Sequence, residues 1–287
     1  MSDEFERHRG RSFAIAYRML GSAAEAEDIV QEAWLRWRRA EAIESAPAWL
    51  TTTVTRLCLD YLDSARVRRE HYVGPWLPEP IATPADEVDP ESISIAFLLL
   101  LERLSPAERA VYLLRKVFDV DYAEIATMLG KSEAAVRQLQ HRAGEHLGTE
   151  RPRFAASKEQ HLRLLTSFLL ATQSGELGPI EALLSEDARS WNDGGGRVRT
   201  ARNIVEGRSR VARLFHGLVK KGGSADLRPE LRELNGWPAI LLWRGAELTM
   251  ALTIETDGEQ ILAVHSMVNP DKLRALGVHA QSPGLPS

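Results

Sequence analysis

The sequence predicts a multidomain fold, with two all-α helical domains followed by one α+β domain. Three observations carry this prediction. Apolar residues recur at helical spacing before residue 70 and again over residues 92–147. A proline-rich segment separates these two stretches. Beyond about residue 157, two helical patterns give way to strand-like apolar runs. The predicted division is residues 1–70, 71–89, 90–150 and 151–287.

Composition excludes several classes of protein. The 287 residues carry a net charge of −4, with 44% hydrophobic and 26% charged side chains, which is typical of a globular protein. The single Cys58 lies in an apolar stretch and predicts a buried, reduced thiol, not a disulfide or a cysteine-rich zinc site. No apolar run reaches about 18 residues, and the charged start lacks a signal core. We expect a cytoplasmic protein with no membrane contact, metal or cofactor.

The first domain is predicted to contain three helices, over residues 5–20, 23–39 and 47–64. Ser22 is placed to cap the second helix. The apolar stripe of that helix consists of Ile29, Val30, Ala33, Trp34 and Trp37. Its polar face carries Glu25, Asp28 and Glu32, followed by Arg36 and Arg39. This face is either a solvated surface with a supporting Glu32–Arg36 pair or a binding surface.

Residues 71–89 form the most acidic segment for their length, with four acidic and no basic side chains. Four prolines fall within Tyr72–Pro84, and because each fixes φ and removes a donor, the segment is expected to be extended. Trp76 and Leu77 are unusual in a spacer. The segment is therefore either a stiff tether with an incidental apolar anchor or a docking segment that packs on another domain.

Residues 121–142 have the pattern of a helix-turn-helix. Asp121 and Glu124 have the spacing of a capping box, Gly130 supplies a permissive turn, and Ser132 can cap the second helix. That helix has an apolar face, formed by Val136, Leu139 and Ala143. Its polar side chains can reach phosphates and base edges in a major groove: Lys131, Ser132, Arg137, Gln138, His141 and Arg142. A plain helical hairpin with a solvated face is the alternative.

Residues 21–34 resemble the region-2 signature of bacterial extracytoplasmic-function (ECF) sigma factors. The resemblance implies binding of core RNA polymerase by Asp28, Gln31, Glu32 and, less specifically, Arg36. Residues 47–69 are similar to the part of region 2 that opens and reads the −10 promoter element. The residues implied there are Arg56, Asp60, Tyr61, Arg66, Arg68 and Arg69, although the last arginines could equally form an ordinary basic helix end. The helix-turn-helix falls where region 4 reads the −35 element.

Residues 158–280 resemble the SnoaL-like fold, a curved sheet with helices that form a cone, as in ketosteroid isomerases. Three strings resemble hallmarks of the sigma subgroup with this domain fused: residues 72–80, 193–197 and 269–273. The resemblance implies regulation in cis, with no separate anti-sigma factor required. Arg197 stands where lysine is usual, which exchanges a point charge for a planar fork. The implied interdomain residues are Trp76, Leu77, Pro78, Asp193, Gly194, Gly195, Gly196, Arg197, Asn269, Pro270, Asp271, Lys272 and Leu273.

Catalysis is not expected, because the candidate groups form no recognisable local pair. These candidates are Asp193, His216, Glu247 and His265. A ligand pocket lined partly by Trp191, Trp243 and Met250 remains open, beside the simpler interpretation that these side chains fill the core.

The predicted function is that of an ECF sigma factor, which directs core polymerase to promoters and is regulated by its C-terminal domain. The alternatives are a SnoaL-type enzyme or a ligand sensor fused to DNA-binding helices. We expect a monomer when free, with core RNA polymerase and promoter DNA as partners. A net charge of −4 predicts weak binding of the free chain to DNA, so the holoenzyme must supply the affinity.

Overall fold

A computed structural model of the chain describes residues 2–70, 72–83, 89–148, 156–220 and 226–278. The chain forms two compact units. The helical unit consists of Met1–His71 and Phe97–Arg151, and the cone unit consists of Tyr72–Ala96 and Pro152–Ser287. The division into four functional segments at residues 70, 89 and 150 stays a prediction.

The helical unit begins with three helices: α1 (Ser2–Leu20), α2 (Ala23–Trp37) and α3 (Ala46–Glu70). As predicted, the Ser22 hydroxyl accepts a hydrogen bond from the Glu25 amide at the start of α2. Val30, Trp34 and Trp37 of the α2 stripe pack with Phe5 of α1 and Leu50 of α3 in one apolar cluster. Cys58 of α3 is free and buried, and burial raises the pKa of its thiol. The helix α3 continues six residues beyond the predicted end.

The second half of the helical unit contains the helix-turn-helix. After α4 (Ile95–Leu101) and α5 (Pro106–Lys116), it is formed by α6 (Tyr122–Leu129) and α7 (Glu133–Leu147). Gly130 has a φ of 62°, and the Ser132 hydroxyl caps α7, both as predicted. The capping box predicted at Asp121 is wrong, because the Asp121 side chain makes no cap hydrogen bond. Its carboxylate is exposed to solvent, and α6 is held by the burial of its apolar face.

The cone unit contains one curved sheet in the order β2-β1-β6-β5-β4-β3, in which β1 and β6 are parallel and the other neighbours antiparallel. A 3₁₀ turn, Pro90–Ile93, precedes the crossing into the helical unit. The remaining elements are α8 (Lys158–Ser174), α9 (Leu177–Leu183), β1 (Leu184–Asp193), β2 (Val205–Glu206), α10 (Arg208–Lys220), β3 (Leu227–Leu234), β4 (Trp237–Arg244), β5 (Glu247–Thr256), β6 (Ile261–Met267) and α11 (Pro270–Val278).

The core of the cone lies between one face of this sheet and helices α8 to α10. Leu165 and Phe168 of α8 pack there against Ile240 of β4 and Val264 of β6. Two helical regions followed by an α+β cone confirm the predicted fold class. Within the described residues, no helix combines the length and apolar character needed to cross a bilayer.

Candidate functional site

A buried carboxylate organises the contact between residues 72–83, here called the linker, and the cone. Asp193 ends β1 with a side chain that is 0% exposed. One of its oxygens accepts hydrogen bonds from the Leu77 amide, at 2.9 Å, and from Lys272 Nζ, at 2.8 Å. The other accepts from the hydroxyl of Tyr72 and the amide of Gly195. Four donors offset the cost of burying this charge.

Lys272 of α11 connects the same carboxylate with the linker backbone. Its Nζ also donates to the Leu77 carbonyl oxygen. The ammonium lies 5.0 Å from the ring centroid of Tyr72 and 4.6 Å from that of Trp76, within the range of a cation–π contact. We call the cluster of Tyr72, Trp76, Leu77, Asp193, Asn269 and Lys272 the linker anchor.

The three glycines that follow Asp193 allow this close approach. Gly195 has a φ of 57°, and a Cβ there would lie 2.2 Å from Nδ2 of Asn269. A Cβ on Gly194 would lie 2.3 Å from the Val198 carbonyl oxygen. Asn269 in turn donates to the Tyr72 hydroxyl at 3.1 Å and accepts from the Asp271 amide. The glycine run is therefore a steric requirement of the linker anchor.

Five of the predicted interdomain residues belong to the linker anchor: Trp76, Leu77, Asp193, Asn269 and Lys272. Leu77 and Pro78 are buried in the cone unit, as is Leu273 of α11. Arg197, by contrast, is exposed and pairs with exposed Asp271 at 3.3 Å. Tyr72 is absent from the predicted interdomain residues, although it begins the stretch 72–80 that carries the resemblance. Burial, followed by its hydrogen bond to Asp193, raises the pKa of the Tyr72 hydroxyl, which therefore remains a donor at neutral pH.

The predicted −35 residues lie at the start and along the exposed face of α7, the second helix of the helix-turn-helix. We call this surface the recognition face. Arg137 is 3.2 Å from Glu133, and its guanidinium lies 4.2 Å from the Tyr122 ring centroid. Arg142 faces Glu108 at 3.6 Å. The members of the recognition face are Lys131, Ser132, Arg137, Gln138, His141 and Arg142, all exposed. Arg137, Gln138, His141 and Arg142 project donors from one face of α7, whereas Lys131 lies in the turn before the helix and the Ser132 hydroxyl caps it.

The predicted polymerase-binding residues lie on α2. Asp28 and Gln31 are exposed, and Glu32 pairs with Arg36 at 2.9 Å. Glu25, on the same polar face, accepts a hydrogen bond from the Tyr61 hydroxyl. Part of this face thus stabilises the helical unit, while Asp28 and Gln31 point to solvent.

The predicted −10 residues of α3 have different environments. Arg56 Nε donates to the Met128 carbonyl oxygen of α6 at 2.8 Å, whereas Asp60 is exposed. Tyr61 is engaged with Glu25 on α2, as above. The arginines at 66, 68 and 69 extend α3, but their side chains lie outside the described residues.

Two further arginine contacts join the two halves of the helical unit. Arg109 of α5 donates to the Met19 carbonyl oxygen of α1 at 2.7 Å and pairs with Glu102 at the same distance. Burial lowers the pKa of this guanidinium to about 10, so it remains charged at neutral pH. Arg11 donates to the Phe118 carbonyl oxygen and lies 5.3 Å from its ring centroid. The first three helices and the helix-turn-helix are therefore bonded directly to each other.

The cone contains a partly open apolar cavity of about 160 Å³ between the sheet and helices α8 and α10. Its lining side chains are Phe168, Leu169, Thr172, Phe215, Leu218, Leu227, Ile240, Leu242, Met250 and Leu252. Met250 lines it as predicted. Trp191 and Trp243 do not: Trp191 packs against the ring of His265, and Trp243 lies beside Arg228. Alternation along β4 directs Ile240 and Leu242 to the cavity and Trp243 to the other face.

The four residues considered for catalysis lie apart from this cavity. Asp193 belongs to the linker anchor, Glu247 is exposed at a strand end, and His265 Nε2 lies 3.1 Å from Glu255. None of them, nor His216, is among the lining side chains. Within the described residues, no three His, Cys, Asp or Glu side chains are grouped so as to hold a metal ion.

Comparisons with known proteins agree with this arrangement. Residues 5–68 match the family model for Sigma-70 region 2, and residues 94–147 match Sigma-70, region 4. The ECF RNA polymerase sigma factor SigJ of Mycobacterium tuberculosis is 38% identical, over 94% of this chain and 92% of that protein. The probable ECF sigma factor SigI of the same species is 30% identical, over 96% of each chain.

The solved structures lead to the same family. The crystal structure of M. tuberculosis SigJ matches with a TM-score of 0.76 and 34% identity, over 96% of this chain and 98% of that one. The similarity therefore includes the cone as well as the helical regions. The chain belongs to the ECF sigma factors of RNA polymerase, in the subgroup that carries a fused C-terminal SnoaL-like domain.

Proposed function

We propose that the chain directs core RNA polymerase to promoters and that the cone regulates this activity in cis through the linker. The observation that most directly supports regulation by the cone is the linker anchor. A spacer that only joined two domains would not bury Leu77 or place its backbone on the buried carboxylate of Asp193. The docking interpretation of the linker is therefore preferred to the stiff tether.

The helical unit suggests what is regulated. The −10 and −35 elements are centred roughly 25 base pairs apart, or about 85 Å at 3.4 Å per base pair. Arg56, proposed to contact −10 DNA, instead donates to Met128 in the first helix of the helix-turn-helix. Two surfaces joined by direct hydrogen bonds cannot bind elements that far apart at once, so this unit must open on the promoter. The linker connects its two halves, and a linker held on the cone limits that opening.

The residue roles follow from this proposal. Asp28, Gln31, Glu32 and Arg36 would bind core polymerase, and the recognition face would read the −35 element. Arg56, Asp60, Tyr61 and the arginines at 66, 68 and 69 would serve the −10 element. No separate anti-sigma factor is then required, and the chain works where RNA polymerase works, in the cytoplasm, as a monomer before it joins core.

We propose further that the cone is regulatory and not catalytic. Among the described residues, the cavity lining offers the single hydroxyl of Thr172, which donates to the Phe168 carbonyl oxygen, and no ionisable side chain. Proton transfer needs such a group within reach of the substrate. The second candidate function, ligand sensing, is favoured only by the cavity volume, which suits one small apolar molecule.

Run-off transcription with purified core polymerase tests the proposal. The full chain should direct core to a promoter, and removal of residues 269–287 should change the yield, because it takes Lys272 and Asn269 from the linker anchor. Arg274→Ala, an exposed change on α11, is the matched control and should leave the yield unchanged. If the full chain never directs core to a promoter, the sigma-factor role is refuted. If the full chain and the truncated chain give equal yields, regulation through the linker anchor is refuted.

A further inference from the structure

The turn between β3 and β4 holds the linker at a second place. Asn235 is 1% exposed and has a φ of 52°. Its backbone amide donates to the Ile81 carbonyl oxygen, and its side-chain Oδ1 accepts from the Ile81 backbone amide, both at 3.0 Å. A side chain and its own backbone thus pair with both polar groups of one linker residue, as a neighbouring strand would.

The same turn also reaches residues beyond the linker. Asn235 Nδ2 donates to the Ile93 carbonyl oxygen at 2.8 Å, and the Gly236 amide donates to the Thr83 hydroxyl at 2.8 Å. Gly236 has a φ of 80°, and a Cβ there would lie 2.5 Å from Cβ of Pro90. The turn therefore contacts chain on both sides of residues 84–88, which lie outside the described residues.

The adjacent strand contributes a backbone contact. β3 is an edge of the sheet, and Ala82 forms an antiparallel bridge with Leu234 at its end. An exposed edge presents unpaired donors and acceptors, and adding an extended segment is a recurrent way to bind peptide. Residues 81–83 occupy the β3 edge in this way.

The hairpin itself does not need the asparagine side chain. Leu234 pairs with Trp237, so Asn235 and Gly236 form a two-residue connection with positive φ at both positions. Such a turn closes on backbone geometry alone, and glycine is favoured at either position. The hydrogen bonds of the Asn235 side chain described above go to Ile81 and Ile93, outside the hairpin.

We propose that the Asn235–Gly236 turn is a second anchor for the linker, which binds an extended segment of this chain by strand addition and acts separately from the linker anchor at Asp193. Its expected effect on transcription rests on the proposed function, but its hold on the linker does not. The two anchors would act at the ends of the linker: one on residues 72–77, the other on residues 81–83.

Hydrogen exchange of the full chain, read by mass spectrometry, tests this second anchor. Asn235→Gly keeps the turn conformation and the backbone bond to the Ile81 carbonyl oxygen, but it removes the side-chain bonds to the Ile81 amide and the Ile93 carbonyl oxygen. We expect about tenfold faster exchange at residues 81–83 and 91–94, and unchanged exchange at residues 72–77. Unchanged exchange at residues 81–83, or equally faster exchange at residues 72–77, would overturn the proposal.

Two threonine variants separate the anchor from general damage to the cone. Thr83→Val removes the acceptor for the Gly236 amide from the linker side, so it should also speed exchange at residues 81–83 while β4 stays protected. Thr249→Val removes a hydroxyl that bonds to Leu242 inside the sheet, and it should leave linker exchange unchanged. If Asn235→Gly loosens β4 as well, Thr83→Val decides the matter.

Run-off transcription with the same variants tests the regulatory part. Asn235→Gly and Thr83→Val should shift the yield in one common direction, whereas Thr249→Val should match the unsubstituted chain. Faster linker exchange with no shift in yield would overturn a regulatory role for the second anchor. An unsubstituted chain that fails to direct core polymerase would instead overturn the proposed function, while the exchange result would still decide the anchor.

Discussion

The linker anchor and the recognition face place charged side chains in opposite environments. In the linker anchor, Asp193 is inaccessible to solvent and accepts four hydrogen bonds from the chain itself. On the recognition face, the side chains of Arg137 and Arg142 are at least half exposed, and their carboxylate neighbours lie at 3.2 and 3.6 Å. Buried charges here are committed to internal contacts, and exposed charges remain available to an external partner.

The charged side chains of the two regions should also differ in how much they contribute to the free energy of unfolding. Removing one member of a buried pair leaves the other charge unpaired in a medium that solvates it poorly. Exposed ion pairs contribute little, because water and salt screen them and long side chains lose entropy when held. Substitutions in the linker anchor should therefore change stability and linker attachment, whereas substitutions on the recognition face should change DNA binding alone.

Loss of the buried carboxylate should have the largest effect. Asp193→Ala leaves Lys272 Nζ and the Leu77 amide without their shared acceptor. We expect the cone unit to lose about 3 to 5 kcal/mol in free energy of unfolding. Chemical denaturation of the full chain measures this loss, and hydrogen exchange at residues 72–77 measures release of the linker.

A double variant distinguishes a buried pair from simple loss of packing. Lys272→Met in the Asp193→Asn background removes both charges while keeping similar volumes. If the unpaired ammonium causes the damage, this double variant should be more stable than Asp193→Asn alone. A double variant that is less stable by the sum of both single effects would contradict the comparison.

The recognition face should show the second-largest effect, and only on DNA. Arg137→Ala or Arg142→Ala should weaken holoenzyme binding to a promoter fragment by about 1 to 3 kcal/mol if the side chain reads a base. For Arg137→Ala, whose partner Glu133 is also exposed, the stability of the free chain should change by less than about 0.5 kcal/mol. Arg274→Ala on the cone is a matched control.

A scrambled −35 element locates the contact. If Arg137 and Arg142 read bases, the penalty of each alanine should vanish on DNA whose −35 element is scrambled. An equal penalty on both fragments would assign the arginines to phosphates. No penalty on either fragment would move recognition to another surface.

Residue spacing predicted the local elements of these regions well. Cap and turn residues, such as Ser22, Gly130 and Ser132, act within one helical turn, so their chemistry is legible in sequence. Local spacing also failed at Asp121, since an acceptor in the correct position need not make the bond when water competes. The glycine run at 194–196 was identified by resemblance, but its steric reason needed the position of Asn269.

Local sequence patterns do not predict contacts between residues that are far apart in the chain. The hydrogen bond from Arg56 to Met128 and that from Arg109 to Met19 each join residues more than 70 positions apart. The strand β3 has a weak sequence signal, because charged residues recur along this edge strand and interrupt its apolar pattern. Asn235 carried no sequence signal beyond a turn, because its role depends on a linker held against it.

The stability of the cone unit should also depend on pH through a buried histidine. Burial lowers the pKa of His161 in α8 to about 4, from an unfolded value near 6.5. Between these values the unfolded chain binds the proton and the folded chain does not, so stability is lost as the pH falls from 6.5 toward 4. The contribution of His161 to this loss should be about 2 kcal/mol at pH 5.

A non-titrating substitution isolates that contribution. His161→Gln should be less stable than the unsubstituted chain at pH 7, because the imidazole packs against the Trp237 ring at 5.3 Å. The difference between the two proteins should shrink by about 2 kcal/mol at pH 5, as seen in parallel denaturation curves. A difference that is constant with pH would show that His161 does not titrate in this range.

The smallest effect is expected at Arg197, whose side chain is 67% exposed and lies 3.3 Å from half-exposed Asp271. The guanidinium makes one contact at the rim of the linker anchor, while Asp193 and Lys272 form its buried part. Arg197→Lys should therefore change the free energy of unfolding by less than about 0.5 kcal/mol, with unchanged exchange at residues 72–77. If Arg197→Lys speeds exchange at residues 72–77 as strongly as Asp193→Ala, an exposed charge would hold the linker as firmly as the buried one. The contrast between buried and exposed charges would then be wrong.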